Sequence, residues 1–351
     1  MKDKILGIVF SNIHDQSLSK ATQNRTFAAM PFMANYRLVD FSLSNLSPLR
    51  PEAVGVITKY NYRSLVSHIS DGAEWDLKRK NGGVLIISPF EKEKNKIYKN
   101  RLEALFNARE FIAESSAQTV VLCDCNLVSI IDLNKAFCFH LEKDADITLL
   151  TSKQTIKADF SVSTYENGEI YNFSGDNFYL DVFFIKRELV LKIIDYSIKN
   201  NLKSFSEDIL KKAANKLKIF AFDVKEKIYK IASLNDYYSV SFAILKSDEQ
   251  IFNNLITRKT DLMPTVYKQN SKLKNSVIGE NCIIDGYVEN SIIFSGVKIE
   301  CGCKVVNSII MNNCIITNDS ELSFVIADKN LRFDRKKLKG NINNPLYLNS
   351  T

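Results

Sequence analysis

The first residues with chemical potential in this 351-residue chain follow a short apolar run, residues 4–11, that is typical of a buried parallel strand. In nucleotide-binding folds the turn after such a strand is rich in glycine, because backbone N–H groups must approach phosphate oxygens without interference from Cβ atoms. Here no glycine occurs between Gly7 and Gly55. The side chains of residues 11–18 would crowd a triphosphate, and the carboxylate of Asp15 would repel it. The sequence therefore predicts a nucleotide-binding scaffold that has lost its phosphate-binding loop.

The cysteines are the next residues that could carry chemistry. They number seven and are irregularly placed, which is typical of reduced thiols rather than of a disulfide framework. Two pairs, Cys123/Cys125 and Cys301/Cys303, have a Cys-x-Cys spacing, but zinc knuckles are spaced differently and the three histidines lie far from both pairs in sequence. Both pairs fall in strand-like sequence. We interpret them as small core residues and predict no metal site in this chain.

Apolar runs alternate with helix-length segments from the start of the chain to about residue 231. The runs cover residues 53–58, 84–88, 119–123, 146–150, 177–185 and 217–222, and helical stretches such as 100–115 and 132–143 lie between them. Such alternation predicts a mostly parallel sheet covered on both faces. We predict an α/β domain over residues 1–234, followed by a connecting helix and linker over residues 235–262.

The pattern changes after Met263-Pro264, where a short-period repeat begins. Aliphatic residues recur every five to six positions with polar residues and glycines between them, at Val277, Ile283, Val288, Ile293, Ile299, Val305, Ile310 and Ile316. This pattern predicts a left-handed parallel β-helix over residues 263–351. An irregular β-sandwich would instead show alternation at period two with hairpin signals. Hexapeptide β-helices also occur in acyltransferases, so the repeat alone does not identify a function.

Several motifs resemble those of sugar-nucleotide pyrophosphorylases, most of all the glucose-1-phosphate adenylyltransferases (ADP-glucose pyrophosphorylases) of bacterial glycogen synthesis. The motifs are Tyr-Arg-Leu-Val-Asp-Phe-Ser-Leu-Ser-Asn at 36–45, residues 58–65 with His68, and residues 145–148. Residues 72–80 are similar to the noncatalytic subunit that Firmicutes pair with the catalytic one. The resemblance covers nearly the whole chain. It implies a Rossmann-like, GT-A-like nucleotidyltransferase domain followed by a hexapeptide-repeat β-helix.

The same resemblance implies that the catalytic positions of the family have changed in this chain. A basic residue that contacts phosphate is matched by Phe27, which cannot neutralise charge. The two metal-binding aspartates are matched by Cys125 and Lys230, and a lysine would repel Mg²⁺. Asp124 would point to the other face of its strand and could substitute only if the register slipped. The motif that grips the sugar phosphate is unrecognisable around residues 169–175. We therefore expect no catalytic residue here, with Mg²⁺ held by a catalytic partner.

Four cationic residues remain at positions that help form an anionic effector pocket between the two domains in the family. They are Arg25, Arg37, His68 and Lys329. The resemblance implies that they bind a phosphorylated sugar, with Arg37 the best supported because its motif is intact. The alternative is that each is a solvated or paired surface charge. Arg37 could also pair with Asp40, three residues further along a helix.

Composition limits the possible partners. The net charge of +7 is dispersed, with no basic run interleaved with aromatic residues, so we predict no nucleic-acid binding. We also predict no membrane insertion, because no leader-like segment and no run of about eighteen apolar residues occurs. With the reduced cysteines, this favours a cytoplasmic protein.

We therefore predict that this chain is the regulatory, noncatalytic subunit of a glucose-1-phosphate adenylyltransferase and that it allosterically modulates a catalytic subunit in a hetero-oligomer. The resemblance implies that this hetero-oligomer is a heterotetramer. Two alternatives stay open. One is a working pyrophosphorylase with an atypical site, for which Asp124 with Asp181 or Asp236 would be the available carboxylates. The other is a purely structural assembly subunit without an effector site.

Overall fold

The first apolar run forms the central strand of an eight-stranded sheet in the computed structural model, which describes residues 4–18, 20–79, 82–88, 98–247, 252–259 and 261–349. All six residues of this strand are buried, because its parallel neighbours on both sides place it in the middle of a sheet covered on two faces. The strands of the N-terminal part are β1 Ile5–Phe10, β2 Pro31–Phe32, β3 Tyr36–Arg37, β4 Ala53–Ile57, β5 Gly83–Ile87, β6 Thr119–Asp124, β7 Ile147–Ser152, β8 Ser161–Thr164, β9 Ile170–Lys186 and β10 Ile219–Asp223.

The sheet has the order β10-β7-β9-β6-β1-β4-β5, with β8 paired to β9, while β2 and β3 form a separate small hairpin. The predicted mostly parallel sheet is confirmed, and β9 is the exception, since it runs antiparallel to both β6 and β7. Its register against β7 shifts between Leu149 and Thr151. On β9 the shift lies around Asp181, which has a positive φ of 59°. This irregularity sets the position of the Asp181 carboxylate.

Helices cover both faces of the sheet, and two apolar cores result. They are α1 Leu38–Leu46, α2 Arg63–Ile69, α3 Arg101–Asn107, α4 Arg109–Glu114, α5 Leu133–Glu142, α6 Arg187–Lys199, α7 Lys211–Ala213 after a π-helical turn Phe205–Leu210, and α8 Leu234–Lys246. Side chains of α1, α2, α5 and α8 join one core, and those of α3, α4 and α6 join the other. The single helix predicted over 100–115 is divided at Ala108, and the helix predicted at the start of residues 235–262 runs from Leu234 to Lys246. No helix in the described part of the chain is long and apolar enough to cross a membrane.

The C-terminal part is a three-faced parallel β-helix, which confirms the predicted fold class. Its strands are β11 Val266–Tyr267, β12 Lys272–Lys274, β13 Val277–Ile278, β14 Ile283–Ile284, β15 Tyr287–Glu289, β16 Ile292–Ile293, β17 Lys298–Ile299, β18 Lys304–Val306, β19 Ile309–Ile310, β20 Ile315–Thr317, β21 Glu321–Ser323, β22 Val325–Ala327, β23 Arg332–Asp334, β24 Lys337–Lys339 and β25 Leu346–Leu348. Three parallel five-stranded sheets result, each built from every third strand.

Stacked aliphatic side chains fill the inside of the coil. Ile284, Ile299 and Ile316 form one column, in register from strand to strand. The predicted inward positions Val277 and Ile283 are wrong by one residue, because in these doublets the second member points into the coil. Val277 instead packs against the N-terminal core.

The corners of the coil explain its many asparagines. Asn275, Asn290, Asn307, Asn313 and others have φ values between 43° and 62°, the left-handed region that asparagine tolerates better than most residues. Stacked corner amides also bond to one another, as in the 2.7 Å bond from Asn275 to Asn290. Cys303 is buried inside the coil, whereas Cys301 is exposed at a corner, so the interpretation of this pair as core residues holds for only one member.

One face of the β-helix packs against the N-terminal domain. Ile292, Ile309 and Ile326 point outward from this face and are at most 1% exposed, because they belong to the same apolar core as α1 and α8. Phe294 and Met311 lie beside them in that core. The face is thus buried on both sides, inside by the coil and outside by the domain.

We expect Ile309→Ala to lower the stability of the whole chain by about 2–5 kcal/mol, because a fully buried side chain is lost and a cavity remains at the domain junction. Ile342→Ala is the matched control. Its side chain is 64% exposed, so a change within about 0.5 kcal/mol is expected. Urea unfolding followed by circular dichroism measures both, and equal effects of the two substitutions would contradict this view of the junction.

Candidate functional site

In the loop after β1, the carboxylate of Asp15 binds donors of the chain itself. Asp15 accepts hydrogen bonds from the backbone N–H of Phe27 at 2.8 Å and from Asn12 Nδ2 at 2.5 Å. Burial raises the pKa of Asp15 to about 6, although these two hydrogen bonds act in the opposite direction. Two donors at this turn are therefore already bound to a carboxylate of the chain itself.

Two of the predicted degenerate positions lie in apolar surroundings. Phe27 is 1% exposed and its ring packs against the imidazole of His14, with 5.6 Å between centroids. Cys125 is fully buried, and Ser42 Oγ lies 3.7 Å from its sulfur. Burial raises the pKa of the Cys125 thiol, which keeps it protonated and unsuited to binding a metal ion.

Asp124 and Asp181 meet on the opposite face of the sheet from Cys125. Asp124 is the last residue of β6, Asp181 lies in β9, and both side chains are 1% exposed. His14 Nε2 is 2.7 Å from Asp124 Oδ2. One atom from each of these three side chains lies within 4.8 Å of the others, a separation at which three ligands can share a metal ion.

Two largely buried cations pair with these carboxylates. Arg101 Nη2 donates to Asp124 Oδ2 and lies 3.5 Å from Asp181 Oδ1. Lys230 Nζ is 2.6 Å from Asp181 Oδ2, and its side chain is only 4% exposed. Although burial by itself raises the pKa of Asp181, the charges of Lys230 and Arg101 outweigh it and hold that pKa below its usual range. We call these five residues, His14, Arg101, Asp124, Asp181 and Lys230, the charge cluster.

The charge cluster does not fit Mg²⁺. Magnesium requires carboxylate or water oxygens in an octahedral arrangement, and here both carboxylates are already neutralised by side chains of the same chain. Burial lowers the pKa of His14, but the hydrogen bond and charge of Asp124 more than offset it, so the pKa is raised overall and the imidazole is a poorer metal ligand. No nucleotidyl-transfer step can therefore be assigned to these residues.

Asp236, which was considered with Asp124 for an atypical catalytic site, binds other residues instead. It accepts the 2.8 Å hydrogen bond of Lys157 Nζ and a 3.2 Å bond from the backbone N–H of Ala232 in the first turn region of α8. Of the two carboxylates considered as partners of Asp124, the structure brings only Asp181 to it.

The predicted effector residues lie at the junction of the two domains. Arg25 is 7% exposed, and its Nη2 is 2.5 Å from Asp328 Oδ1 on the β-helix. Tyr347 OH donates to the other oxygen of Asp328 at 2.8 Å. Arg25 therefore forms a buried ion pair that connects the domains.

The carboxylate of Asp40 contacts two of the other predicted effector residues, Arg37 and His68. Fully buried near the start of α1, it accepts a 2.9 Å bond from the backbone N–H of Arg37 and a 2.6 Å contact from His68 Nε2. The guanidinium of Arg37 does not pair with Asp40 and instead donates to the carbonyl of Ser64 at 2.5 Å. His68 packs edge-on against Trp75, from the motif at 72–80, with 5.7 Å between ring centroids.

The ammonium of Lys329 is affected by the charges of both Arg25 and Arg37. Burial first, and then the positive charges of Arg37 and Arg25, lower its pKa to about 8. It forms no ion pair with any residue in the described ranges. Arg258, which sequence reasoning missed, also contributes to this positive region. Burial lowers the pKa of Arg37, the charge of Asp40 opposes this, and the charges of Arg25 and then Arg258 lower the pKa further. We call Arg25, Arg37, Lys329 and Arg258 the cation cluster.

A groove with a volume of about 640 Å³ lies beside this junction. It is lined by Lys20, Asn235, Lys339, Asn341 and Tyr347, among others. Tyr347 lines the groove and also binds Asp328, so the groove and the Arg25 ion pair share a side chain.

Arg101 and His14 were also missed from the sequence. No motif marks either of them, because each is recognisable only once β1, β6 and β9 are placed side by side. The positive φ of Asp181 likewise has no signal in its neighbours, whereas the buried position of Lys230 is hinted at by the apolar residues that flank it.

Comparisons with known proteins agree with this architecture. Residues 18–174 match the nucleotidyl transferase family, and residues 261–341 match the GlmU-like C-terminal hexapeptide family. The chain is 28% identical over 325 residues to a glucose-1-phosphate adenylyltransferase of Fusobacterium nucleatum, covering 87% of this chain and 85% of that protein.

A second relative matches almost end to end. The glycogen biosynthesis protein GlgD of Bacillus subtilis is 28% identical over 353 residues, covering 99% of this chain and 96% of that protein. A glucose-1-phosphate adenylyltransferase of Clostridium kluyveri is 27% identical over 324 residues, covering 87% and 85%. The resemblance to glucose-1-phosphate adenylyltransferases and to proteins of glycogen biosynthesis is confirmed.

We expect Lys329→Met to raise the melting temperature at pH 7, because it removes a partly buried charge from a positive region. The pKa of Lys329 is about 8 in the folded chain and ordinarily 10.5, so the unfolded chain binds more protons between these values. The wild type should therefore gain stability as pH rises from 8 to 10.5, and the advantage of the variant should shrink. Melting temperatures measured across this range test the prediction.

Lys298→Met is the control for Lys329→Met, since Lys298 is exposed on the β-helix. It should leave the melting temperature nearly unchanged at every pH. An advantage of Lys329→Met that stayed constant from pH 7 to 10.5 would contradict the assigned pKa.

Proposed function

We propose that this chain is the regulatory, noncatalytic subunit of a glucose-1-phosphate adenylyltransferase in glycogen biosynthesis. In this proposal it assembles in the cytoplasm with a catalytic subunit, which holds Mg²⁺ and converts ATP and glucose 1-phosphate to ADP-glucose and diphosphate. The chain then acts by changing the equilibrium between less and more active states of that partner.

The observation that carries the proposal is the pairing of Lys230 with Asp181 where catalysis would need a metal ion. Phosphoryl-group chemistry depends on charge stabilisation by metal or by cationic side chains facing the substrate. In this chain the cations of the charge cluster face the protein's own carboxylates. The closed loop at Asp15 removes the phosphate-binding turn as well. Two separate requirements of the reaction are thus unmet.

The cation cluster supports a regulatory role. It places several positive side chains at the junction of two domains, where a bound anion would contact both. Lys329, whose pKa is lowered by its positive neighbours, would be stabilised in its charged form by an anion. A phosphorylated sugar fits this chemistry, with its phosphate among the cations.

The first turn of the β-helix offers a surface for the partner subunit. Its strands β11, β12 and β13 are edge strands, because each is paired with a later turn of the coil on one side only. Met263, Tyr267 and Leu273 are 73%, 51% and 44% exposed in this part of the β-helix. In the later turns the residues that stack on Tyr267 and Leu273, namely Ile284 and Val288, are fully buried. Exposed apolar side chains at an uncapped end of a repeat favour a contact between subunits.

We expect the purified chain to show no adenylyltransferase turnover, and we expect mixing with a catalytic subunit to raise that partner's kcat or change its response to effectors. We expect no turnover because the carboxylates of the charge cluster are already neutralised by Arg101 and Lys230. We expect an effect on the partner because the two-domain fold of the chain is intact. Size-exclusion chromatography and kinetics on the mixture measure both. Cys125→Asp alone should not restore activity, because Lys230 and the closed loop remain.

Either of two results would reject the proposal. The isolated chain could turn over substrates at a rate typical of enzymes, which would favour an atypical pyrophosphorylase. Alternatively, the two proteins could elute separately with unchanged kinetics. Co-elution with no change in effector response would instead identify a purely structural assembly subunit.

We expect Arg37→Ala to weaken activation by a phosphorylated sugar while the hetero-oligomer still forms. A charge-assisted hydrogen bond contributes roughly 1.5–3 kcal/mol, which corresponds to about a 10- to 150-fold change in apparent affinity. Arg63→Ala is the control, because Arg63 is exposed on the neighbouring helix α2. An unchanged activation constant with a lowered melting temperature would show that Arg37 serves only the fold, through its bond to Ser64.

A further inference from the structure

Within and beside the charge cluster lie polar atoms that the described part of the chain leaves without hydrogen-bond partners. Asp124 Oδ1 and Asn126 Oδ1 are buried acceptors of this kind, and Arg101 Nε and Tyr179 OH are buried donors. Buried polar groups are normally paired, so the two unpaired acceptor oxygens, Asp124 Oδ1 and Asn126 Oδ1, are free to accept a further contact such as a bond to a cation.

Backbone hydrogen bonds hold the segment that carries Lys230 beside the residues after β6. Ile231 N donates to Asn126 O at 2.8 Å, Val128 N donates to Tyr229 O at 2.7 Å, and Lys230 itself forms a bridge with Leu127. The segment carrying Lys230 is thereby aligned with the residues that follow β6. Asn126 Nδ2 also donates to Asp181 Oδ2 at 2.9 Å, the same oxygen that receives Lys230.

A third carboxylate faces the same region from the surface. The pKa of Asp159 is raised, mainly by the negative charge of Asp181, and the charges of Lys230 and Arg101 act in the opposite direction. Asp159 itself is exposed. Without Lys230, the carboxylates Asp124, Asp159 and Asp181 would be balanced only by Arg101 and His14 among the residues of the charge cluster.

We propose that the Lys230 ammonium is a built-in substitute for a divalent cation, and that removing its charge turns Asp124, Asn126 and Asp181 into a divalent-cation site. These residues offer oxygen atoms, which are the ligands that Mg²⁺, Mn²⁺ and Ca²⁺ prefer. Removing one partner of a buried ion pair is strongly destabilising. Arg101 is shared between Asp124 and Asp181 and does not replace the lost charge, so a cation from solvent should stabilise Asp181 in the variant. The wild-type chain supplies that cation covalently and should be indifferent to such ions.

The test uses the Lys230→Ala chain and Mn²⁺ as the probe. Electron paramagnetic resonance should show one bound Mn²⁺ per variant chain and none for the wild type. Because the ion binds the folded state, Mn²⁺ at 100 times its Kd should lower the unfolding equilibrium constant of the variant about 100-fold, with no change for the wild type. Chelator should reverse the effect.

Two further variants locate the ion. Lys157→Ala removes an exposed lysine paired with Asp236, and it should gain no Mn²⁺ binding. Lys230→Ala combined with Asp181→Asn should lose the binding that the single substitution created. If Lys230→Ala does not fold even with Mn²⁺, Lys230→Gln provides the same test while keeping a hydrogen-bond donor near Asp181.

The proposal is overturned if the folded Lys230 variant binds no Mn²⁺, if the wild type binds it equally well, or if binding survives Asp181→Asn. These measurements need no partner subunit and no turnover. Their outcome is therefore independent of the mixing experiment that tests the regulatory role.

Discussion

Two carboxylates buried side by side impose the main constraint on the N-terminal domain. Asp124 and Asp181 are each 1% exposed, and removing one charged partner from such a group typically costs about 3–5 kcal/mol. Arg101 from the start of α3 and Lys230 from the segment before α8 must therefore both reach the same point. This requirement ties β6, β9, α3 and the segment before α8 together.

The fold could be predicted from the sequence where the spacing of apolar residues indicates which positions are buried. The strand β1 and the repeat from Val277 onward follow directly from apolar spacing. The antiparallel direction of β9 could not be predicted, because a buried strand has the same apolar composition in either direction. The one-residue error at Val277 and Ile283 arose because doublets such as Ile309-Ile310 are buried on both sides, so that composition does not distinguish the inner member from the outer one.

The candidate site was predictable only in part, and for a physical reason. The resemblance drew attention to Cys125 and Lys230, but the side chains that pair with Asp124 could not be identified. His14 and Arg101 are 110 and 23 positions from Asp124 along the chain, and only the folded sheet brings them to it. Similarly, Arg25 matched an effector position, whereas its pairing with Asp328 across the domain junction depends on how the β-helix packs.

The lowered pKa of Lys329 has a thermodynamic consequence for any anion that binds at the junction. With a pKa of about 8, this ammonium is partly deprotonated in mildly alkaline buffer, and a bound anion would draw a proton onto it. The heat of binding measured by calorimetry would then include the ionisation heat of the buffer, and the apparent enthalpy would differ between Tris and phosphate at equal pH. Cellular alkalinity and anion concentration would thus act on the domain junction as coupled variables.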